Sequence, residues 1–277
     1  MCVPGCQEAV RAALTRRGFF RGAAAVGFAA TAIAPAEAAP KAAPKPAPAR
    51  FKGVVDLTHT MSPDFPTFFG VPGIELQKQF DIKKDGFNLN WWRIIEHAGT
   101  HIDAPIHFSE SGDTLEKIPA ETLVTPLAVI DVRGNAAKNP DYLVSREDVT
   151  DWEKKNRRLP DRCCVAMLSG WGAHVGDEAK YTGASGGTFH FPGFSGEAAE
   201  WLMKERSVLG IAVDTLSLDH GPSKDFRVHR AWLPSGRWGL ENVANLDKVP
   251  STGATLVVGA AKVKNATGGP VRLIALV

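Results

Sequence analysis

One short stretch of the chain, residues 97–107, holds four side chains of the kinds that bind divalent metals. His97, His101 and Asp103 come first, and His107 follows four residues after the carboxylate. Imidazole and carboxylate groups together suit zinc, manganese or iron. Separate surface or core histidines are the competing interpretation, which the close spacing disfavours. The stretch therefore predicts a metal-activated hydrolase.

The spacing also indicates that this stretch must bend. A straight strand advances about 3.3 Å per residue, which would hold His97 and Asp103 roughly 20 Å apart. A continuous helix brings His97 and His101 to one face but turns Asp103 away, and Pro105 opposes a helix. Gly99 permits a turn between the first two histidines. We therefore expect His97, His101 and Asp103 as ligands, with His101 and Asp103 on one face as alternate residues.

The motif His-x-Gly-Thr-His-x-Asp-x-Pro-x-His-Phe, residues 97–108, resembles the signature of the metal-dependent cyclase family. Bacterial kynurenine formamidase, isatin hydrolase and trans-dienelactone hydrolase belong to that family. The resemblance extends, more loosely, over residues 54–277. It implies an α/β fold, a single swivelling β/β/α domain. It also implies that a metal-activated water opens an amide, lactam or lactone, most like the arylformamidase reaction on N-formylkynurenine.

His107 has a different expected role from the other three donors. Pro105 redirects the chain before it, so His107 lies near the ligands without the alternate spacing that His101 and Asp103 share. The family resemblance implies that His107 is the general acid–base, which takes and returns a proton beside the metal. We therefore expect it close to the metal but not bound to it.

The remaining ligands are expected from the second half of the chain. His229 and Glu241 are the best candidates, in a segment where Pro234, Gly236 and Gly239 let the chain loop out and return. By spacing alone this pair is a weak candidate. The resemblance implies both as distal ligands, because formamidase-type members place a His and a Glu at this interval. One or two ions, zinc or manganese, are compatible with such a site.

Two functions of different classes fit a metal site of this kind. The first is hydrolysis, and the second is non-catalytic metal binding or transport in the periplasm. A carrier needs neither His107 beside its ligands nor an open position for water. A serine hydrolase is disfavoured, because residues 193–197 lack the second glycine of Gly-x-Ser-x-Gly.

Several other polar and aromatic residues have weaker support. His59 and His190 have no partners at metal spacing, and Asp214, at the end of a predicted strand, suits a turn-capping role. Five aromatic residues are candidates either for an aromatic substrate pocket or for ordinary core packing. These five are Phe65, Phe68, Phe69, Trp91 and Trp92.

Composition limits the kind of partner. Apolar residues make up 44% of the 277-residue chain and charged residues 22%, an ordinary globular balance. The whole chain has 32 basic and 30 acidic residues, and the first 38 residues hold four Arg and two Glu of these. The rest of the chain therefore has 28 basic and 28 acidic residues. The remainder is therefore formally neutral and has no basic excess for nucleic acid. A small-molecule substrate is expected.

Residues 1–38 resemble a twin-arginine export signal. Arg16 and Arg17 lie in the segment Thr-Arg-Arg-Gly-Phe-Phe-Arg, residues 15–21. A weakly apolar run follows, and residues 36–38 form a small-x-small cleavage site. The apolar run is too short to prefer spanning a bilayer, so we expect no stable membrane insertion after signal removal. We expect the translocase of the twin-arginine pathway to deliver the folded protein to the periplasm.

The expected domain organisation has three parts. The signal peptide covers residues 1–38, an extended Pro/Ala-rich linker covers 39–50, and the hydrolase domain covers 51–277. The family resemblance implies a homodimer or a higher homo-oligomer.

Hydrophobic patterns predict the strands and helices that position the site. Residues 89–95 alternate as a strand that delivers His97, and residues 127–132 and 165–168 are apolar runs typical of buried strands. Ser145 begins a capping box for a helix towards Asn156, and Ser195 is a cap for a second helix. Four further strands are predicted at residues 54–57, 209–213, 255–258 and 273–277.

Two features leave alternatives open. The glycine-rich segment 170–187 is either a mobile loop over the site or a plain surface loop. Cys163 and Cys164 are adjacent, which places them poorly for a disulfide with each other. We expect both cysteines to be buried as small hydrophobic residues.

Overall fold

The structure, a computed structural model, describes residues 51–277, so the predicted export signal and linker lie outside the described residues. The described chain alternates strands and short helices. The strands are β1 (Val54–Asp56), β2 (Ile74–Phe80), β3 (Leu89–Ile94), β4 (His101–Asp103), β5 (Val124–Asp131), β6 (Leu143–Val144), β7 (Cys163–Leu168), β8 (Gly193–Phe194), β9 (Val208–Val213), β10 (Trp238–Glu241), β11 (Ala254–Ala260) and β12 (Gly268–Leu276). The helices are α1 (Ile82–Asp85), α2 (Arg133–Ala136), α3 (Arg146–Asn156), α4 (Glu178–Thr182), α5 (Gly196–Glu205) and α6 (Arg227–Trp232).

Eight of the strands form one mixed sheet in the order β1-β12-β11-β5-β7-β9-β10-β4. The neighbours β5, β7, β9 and β10 run parallel, and the remaining pairs are antiparallel. Strand β12 pairs with β4 as well, so that the sheet closes on itself. The short strand β4 therefore lies between β10 and β12, two strands that are distant from it in the sequence.

Strand β5 shows why the apolar runs are continuous. Leu127 and Val129 belong to the core enclosed by the sheet. Ala128 and Ile130 belong to a second core, which also contains residues of α3 and α5. Both faces of the strand are thus buried, as the uninterrupted hydrophobic run predicts.

The two principal helices begin at the residues predicted from the sequence. Ser145 Oγ accepts a hydrogen bond from Asp148 N at 3.1 Å, and Asp148 Oδ2 accepts one from Ser145 N at 2.8 Å, which completes the capping box. Ser195 Oγ likewise accepts from Ala198 N at 3.0 Å. Among residues 51–277 no helix is long and apolar enough to cross a membrane.

The glycine-rich segment contains more regular structure than the plain surface loop that was one predicted alternative. It contains α4 and a 3-10 turn at Trp171–His174, and Trp171 Nε1 donates to Tyr181 O at 2.7 Å. Tyr181 is fully buried in a small cluster with Phe191 and Leu216. The segment is therefore a packed part of the fold and not a plain surface loop. Cys163 and Cys164 are free and buried, as predicted.

Strands β2 and β3 form a separate two-stranded hairpin. Its central side chains lie outside the cores, and Trp91 and Trp92 are 65% and 66% exposed. The expectation that these two residues belong to a pocket or to the core is therefore wrong. The hydrophobic pattern identified the strand correctly, but it does not distinguish a side chain buried in the core from one on an exposed arm.

Candidate metal centre

The pairing of β4 with β10 brings together three predicted ligands that are distant in sequence. His101 and Asp103 alternate along β4 and therefore share one face of the strand. Glu241, the last residue of β10, lies directly opposite His101 in the antiparallel register. The side chains of directly opposite residues are neighbours across a sheet, so this register places Glu241 against the histidine motif.

His229 enters the same cluster from helix α6. Asp219 fixes the start of this helix, because its carboxylate accepts from Val228 N at 2.8 Å and from His229 N at 3.2 Å. The same carboxylate lies 2.6 Å from His229 Nδ1. His229 Nε2 then faces Glu241 Oε1 at 3.1 Å and Asp103 Oδ2 at 3.6 Å. Asp219 therefore determines which ring nitrogen points to the cluster.

His101 is oriented in an equivalent way by the backbone. Its Nδ1 donates to Gly99 O at 2.9 Å, since a carbonyl oxygen can only accept. The Asn242 side-chain amide also donates to Gly99 O, at 2.9 Å, and Tyr181 Oη donates to Asn242 Oδ1 at 2.8 Å. This buried network leaves His101 Nε2 to face the carboxylates, 3.3 Å from Asp103 Oδ1 and 3.3 Å from Glu241 Oε2.

His101, Asp103 and Glu241 offer ligand atoms within 4.8 Å of one another, a spacing that fits a divalent metal ion, and His229 contacts both carboxylates. His101, Asp103, His229 and Glu241 are all 5% exposed or less. Tetrahedral coordination with bonds of about 2.0–2.1 Å places neighbouring donor atoms roughly 3.3 Å apart, close to the 3.1–3.6 Å separations found here. In addition, His101 Nε2 and Asp103 Oδ2 are buried without a hydrogen-bond partner, which is costly unless another group occupies the position.

His97 contacts the cluster through the shared carboxylate. Its Nδ1 lies 2.6 Å from Asp103 Oδ1, and its Nε2 lies 2.9 Å from Thr267 Oγ1. Thr267 Oγ1 in turn donates to Glu96 Oε2 at 2.5 Å. Gly268 permits this arrangement, since a Cβ atom there would lie 2.6 Å from the His97 ring. The turn predicted at Gly99 is present, with φ at +66°.

His107 lies beside the cluster in a 3-10 turn, Pro105–Phe108. Its ring stacks on that of His97 with centroids 3.7 Å apart and an interplanar angle of 20°. A ligand atom of His107 lies within 4.8 Å of those of His97 and Asp103, so the geometry accommodates either a ligand or an acid–base group at this position. Burial lowers the pKa of His107 to about 4.

Electrostatics explain how two buried carboxylates are tolerated. Burial opposes ionisation of Asp103, but the adjacent rings of His101, His229 and His97 hold its pKa well below the ordinary value. Burial also opposes the charge on His101, yet the adjacent Asp103 and Glu241 raise its pKa to about 10. The pKa of His229 is likewise raised well above its ordinary value. The two negative charges can be balanced by protonated imidazoles or by a divalent cation, and a bound cation would displace those protons.

A cavity of about 140 Å³ opens onto this cluster. Its walls are largely aromatic and include Phe68 and Phe69, so two of the five predicted aromatic candidates line a pocket. Phe108, Phe226 and Leu216 complete the apolar wall, and Ser217 adds a hydroxyl group. No lysine or arginine among the described residues lines it. Phe65, by contrast, is buried.

All six residues predicted from the sequence therefore meet in one place: His97, His101, Asp103, His107, His229 and Glu241. Asp219 and Thr267 were missed, because their partners lie next to them only in the folded chain.

The residues with weaker support lie outside this cluster. His190 pairs with Asp141, at 2.9 Å. Asp214 accepts from Gly170 N at 2.8 Å, as a turn-capping role predicts. A larger cavity of about 380 Å³ beside Asp214 contains none of the six residues.

Comparison with known proteins gives consistent matches. The Cyclase family model matches residues 55–220. Isatin hydrolase from Roseibium aggregatum is 30% identical over 241 residues, which cover 81% of this chain and 91% of the relative. Kynurenine formamidase from Bordetella petrii is 26% identical over 225 residues, 80% of this chain and 97% of the relative.

Solved structures agree with these sequence matches. The structure of isatin hydrolase A from Ralstonia solanacearum superposes with a TM-score of 0.77 at 33% identity. The superposition covers 81% of this chain and 92% of that one. The mixed α/β architecture described above is therefore shared with a solved hydrolase over most of both chains.

Proposed function

The chain belongs to the cyclase family and is a hydrolase, and from this premise we propose that it opens the lactam ring of a small, neutral aromatic molecule. Isatin is the first candidate substrate. The relatives named isatin hydrolase support this choice, as does their coverage of this chain. The family resemblance read from the sequence is most like the arylformamidase reaction, and a relative is named kynurenine formamidase, so N-formylkynurenine is the second candidate.

The cavity beside the donor cluster is the observation that carries the choice between the two substrates. It is compact, about 140 Å³, and bounded by aromatic rings, which suits a flat bicyclic ring system. N-formylkynurenine carries an α-amino acid group, whose carboxylate would require a cationic partner. The lining provides no lysine or arginine, whereas isatin has no charge to neutralise.

Five residues would hold the metal. His97, His101 and Asp103 form one set of donors, and His229 and Glu241 meet the same Asp103 from the opposite side. Zinc and manganese would both suit this combination of imidazole and carboxylate groups, as one ion or as two. A bound ion would lower the pKa of a water molecule and polarise the substrate carbonyl.

The protein's own groups would then manage the proton and the substrate. His107 accepts the proton that water loses as its oxygen bonds to the carbonyl carbon. The same group returns this proton to the amide nitrogen as the C–N bond breaks, which yields an amine and a carboxylic acid that releases its proton to solvent. The phenylalanines of the cavity hold the aromatic ring and exclude bulk water, and Asp219 keeps His229 oriented.

The place of the reaction is proposed to be the periplasm. The paired Arg16 and Arg17, followed by an apolar run and a cleavage motif, support export through the twin-arginine translocase. That pathway transports folded proteins, so the metal would be bound before export.

A substrate panel tests the proposal. The purified protein is assayed with isatin, N-formylkynurenine and a dienelactone, after chelation and after reloading with zinc or manganese. We expect the highest kcat/KM for isatin, with loss of turnover on chelation and recovery on reloading. Faster turnover of N-formylkynurenine would overturn the assignment to a lactam. Equal turnover in the chelated protein would overturn metal-dependent hydrolysis itself.

A further inference from the structure

One polar group in the wall of the aromatic cavity has no part in the metal cluster or in the proton transfer. Among the described residues, the polar side chains that line this cavity are those of His97, His107, His229, Glu241 and Ser217. The three histidines and Glu241 serve the proposed metal and acid–base roles. The hydroxyl group of Ser217 is therefore left to contact the substrate.

The Ser217 hydroxyl is placed to bond to a molecule inside the cavity. The residue is 4% exposed and lines the cavity, so the hydroxyl is closed off from the outer surface. Within residues 51–277 its Oγ atom makes no hydrogen bond, whereas Ser217 O accepts one from Thr215 Oγ1 at 3.2 Å. A hydroxyl group without a partner in an apolar wall is unfavourable. A bound molecule with an acceptor atom at this point would supply the partner.

The backbone on both sides of Ser217 is fixed to the strand that carries Glu241. Leu218 N donates to Glu241 Oε1 at 2.9 Å. Thr215 O accepts from Asn242 N, also at 2.9 Å. The hydroxyl therefore has a defined position one residue from a bond to the metal cluster. A side chain on such a fixed segment can select a substrate by the position of a single polar atom.

This position matches a ketone group beside the carbonyl group that is attacked. In isatin the lactam carbonyl and a ketone belong to adjacent carbons of the five-membered ring, so their oxygen atoms lie on the same edge of the flat molecule. With the lactam carbonyl at the metal cluster, the ketone oxygen lies beside the cluster as well. The phenylalanine rings of the wall offer this oxygen no donor, but the Ser217 hydroxyl does.

We propose that Ser217 determines specificity by donating a hydrogen bond to the ketone oxygen next to the cleaved C–N bond, so that the enzyme prefers α-keto lactams to simple lactams. This inference rests on the proposed function, because it narrows the class of lactam that the same site accepts. A site built to hydrogen-bond a substrate group discriminates against an analogue that lacks the group.

Two stable carboxylates that differ only at the carbon next to the carboxylate group test the hydrogen bond. Phenylglyoxylate has a ketone there, and phenylacetate has a methylene group. Both resemble the acid that lactam opening produces. Isothermal titration calorimetry measures their binding to the metal-loaded wild type, to Ser217→Ala and to Ser251→Ala. Ser251 is the matched control, since it is an exposed serine outside the cavity lining.

The expected result is a selective loss. Ser217→Ala should bind phenylglyoxylate about 5–10-fold more weakly than the wild type, because one neutral hydrogen bond is lost. It should bind phenylacetate with the wild-type affinity, and its kcat/KM for isatin should fall by a similar factor. Ser251→Ala should bind both carboxylates as the wild type does.

Three results would overturn the proposal. Unchanged binding of phenylglyoxylate by Ser217→Ala would show that the hydroxyl makes no bond to the ketone. Equal weakening of both carboxylates would assign Ser217 a structural role in the cavity wall. A loss of about 10²–10⁴-fold in kcat with the metal retained would assign the hydroxyl to the proton transfer.

The binding measurements also separate this inference from the proposed function, because they require no turnover. A wild type that fails to hydrolyse isatin would overturn the proposed substrate. A selective loss of phenylglyoxylate binding in Ser217→Ala would still support the hydrogen bond to a ketone.

Discussion

Asp103 connects the two halves of the metal centre. Its carboxylate lies within 3.6 Å of ring nitrogens from His97, His101 and His229. His97 and His101 belong to the local motif and His229 to the distal segment, so this one side chain connects the two. Asp103 would therefore be one of the residues that hold the metal.

Asp219 should tune metal affinity without touching the metal. Its hydrogen bond to His229 Nδ1 fixes the ring, and loss of such a partner typically weakens metal binding about 10–100-fold. Asp219→Asn keeps the size and one acceptor for the helix start, but it removes the charged partner of the ring. A competition titration against a chromophoric chelator measures the expected decrease.

The matched control for this variant is Asp141→Asn. Asp141 makes the same kind of contact, 2.9 Å from His190 Nδ1, but His190 is not part of the metal cluster. The control should bind metal with native affinity. If Asp219→Asn also binds metal with native affinity, His229 is oriented by something other than Asp219.

At the residue scale the sequence predicted the metal-binding side chains but not the residues that hydrogen-bond to them. His97, His101 and Asp103 lie within one unusual cluster of metal-binding side chains, and their chemistry is evident from residue type and spacing. Thr267 and Asp219 are ordinary residues in isolation. Thr267 lies 170 positions from the histidine that it contacts, and no local pattern encodes such a contact.

At the scale of elements, buried strands and capped helices were predicted because their signals are local. Ser145 and Asp148 lie three residues apart, and both halves of their capping box are formed. For strand β4, the sequence predicted only that the alternate residues His101 and Asp103 share one face. Its pairing with β10 and β12 depends on contacts across more than a hundred residues, which hydrophobic periodicity does not report.

The contact between α3 and the end of α5 gives a test at this scale. Glu153 binds Arg206 through two hydrogen bonds of 2.8 Å and also accepts from Leu159 N at 3.0 Å. Both side chains of the pair are less than 15% exposed. Glu153→Gln should therefore lower the free energy of unfolding at pH 7 by about 1–3 kcal/mol, as measured by urea denaturation.

The same pair predicts a pH dependence with a definite sign. Arg206 holds the pKa of Glu153 below its ordinary value of 4.5, so the unfolded chain binds this proton more tightly than the folded chain. The pair therefore stabilises the fold above about pH 4.5, and this stabilisation is lost as the pH falls through the folded-state pKa.

The stability difference between the wild type and Glu153→Gln should shrink accordingly under acid conditions. Asp151→Asn is the control, because Asp151 pairs with Lys154 on the exposed side of the same helix, where ion pairs contribute little. A difference for Glu153→Gln that stays constant from pH 7 to pH 3 would contradict the ion-pair explanation.

At the scale of the whole molecule, the fold class was predicted but the closure of the sheet was not. An α/β fold follows from the motif's family and from the alternation of strand and helix patterns. Closure requires the register of β12 on β4, which is set by the folded chain. The exposed hairpin was equally unforeseen, because Trp91 and Trp92 have the pattern of core residues.

Export is a property of the whole chain that its amino-terminal segment should control. Arg16→Lys together with Arg17→Lys should retain a folded, metal-loaded protein in the cytoplasm, because the paired arginines are the recognised feature. Fractionation followed by immunoblotting measures the distribution. Arg11→Lys, another arginine of the same segment, should leave export unchanged. Normal periplasmic yield of the double variant would refute the twin-arginine assignment.

The central claim is that one cluster holds the metal and that His107 moves the proton beside it. Bound metal and kcat, measured on the same preparations of wild type, His101→Ala and His107→Ala, test this claim most directly. His101→Ala should lose metal and activity together. His107→Ala should keep its metal and its fold but lose about 10²–10⁴-fold in kcat, since the proton moves in the transition state. Loss of metal from His107→Ala, or near-native kcat with its metal retained, would contradict the account.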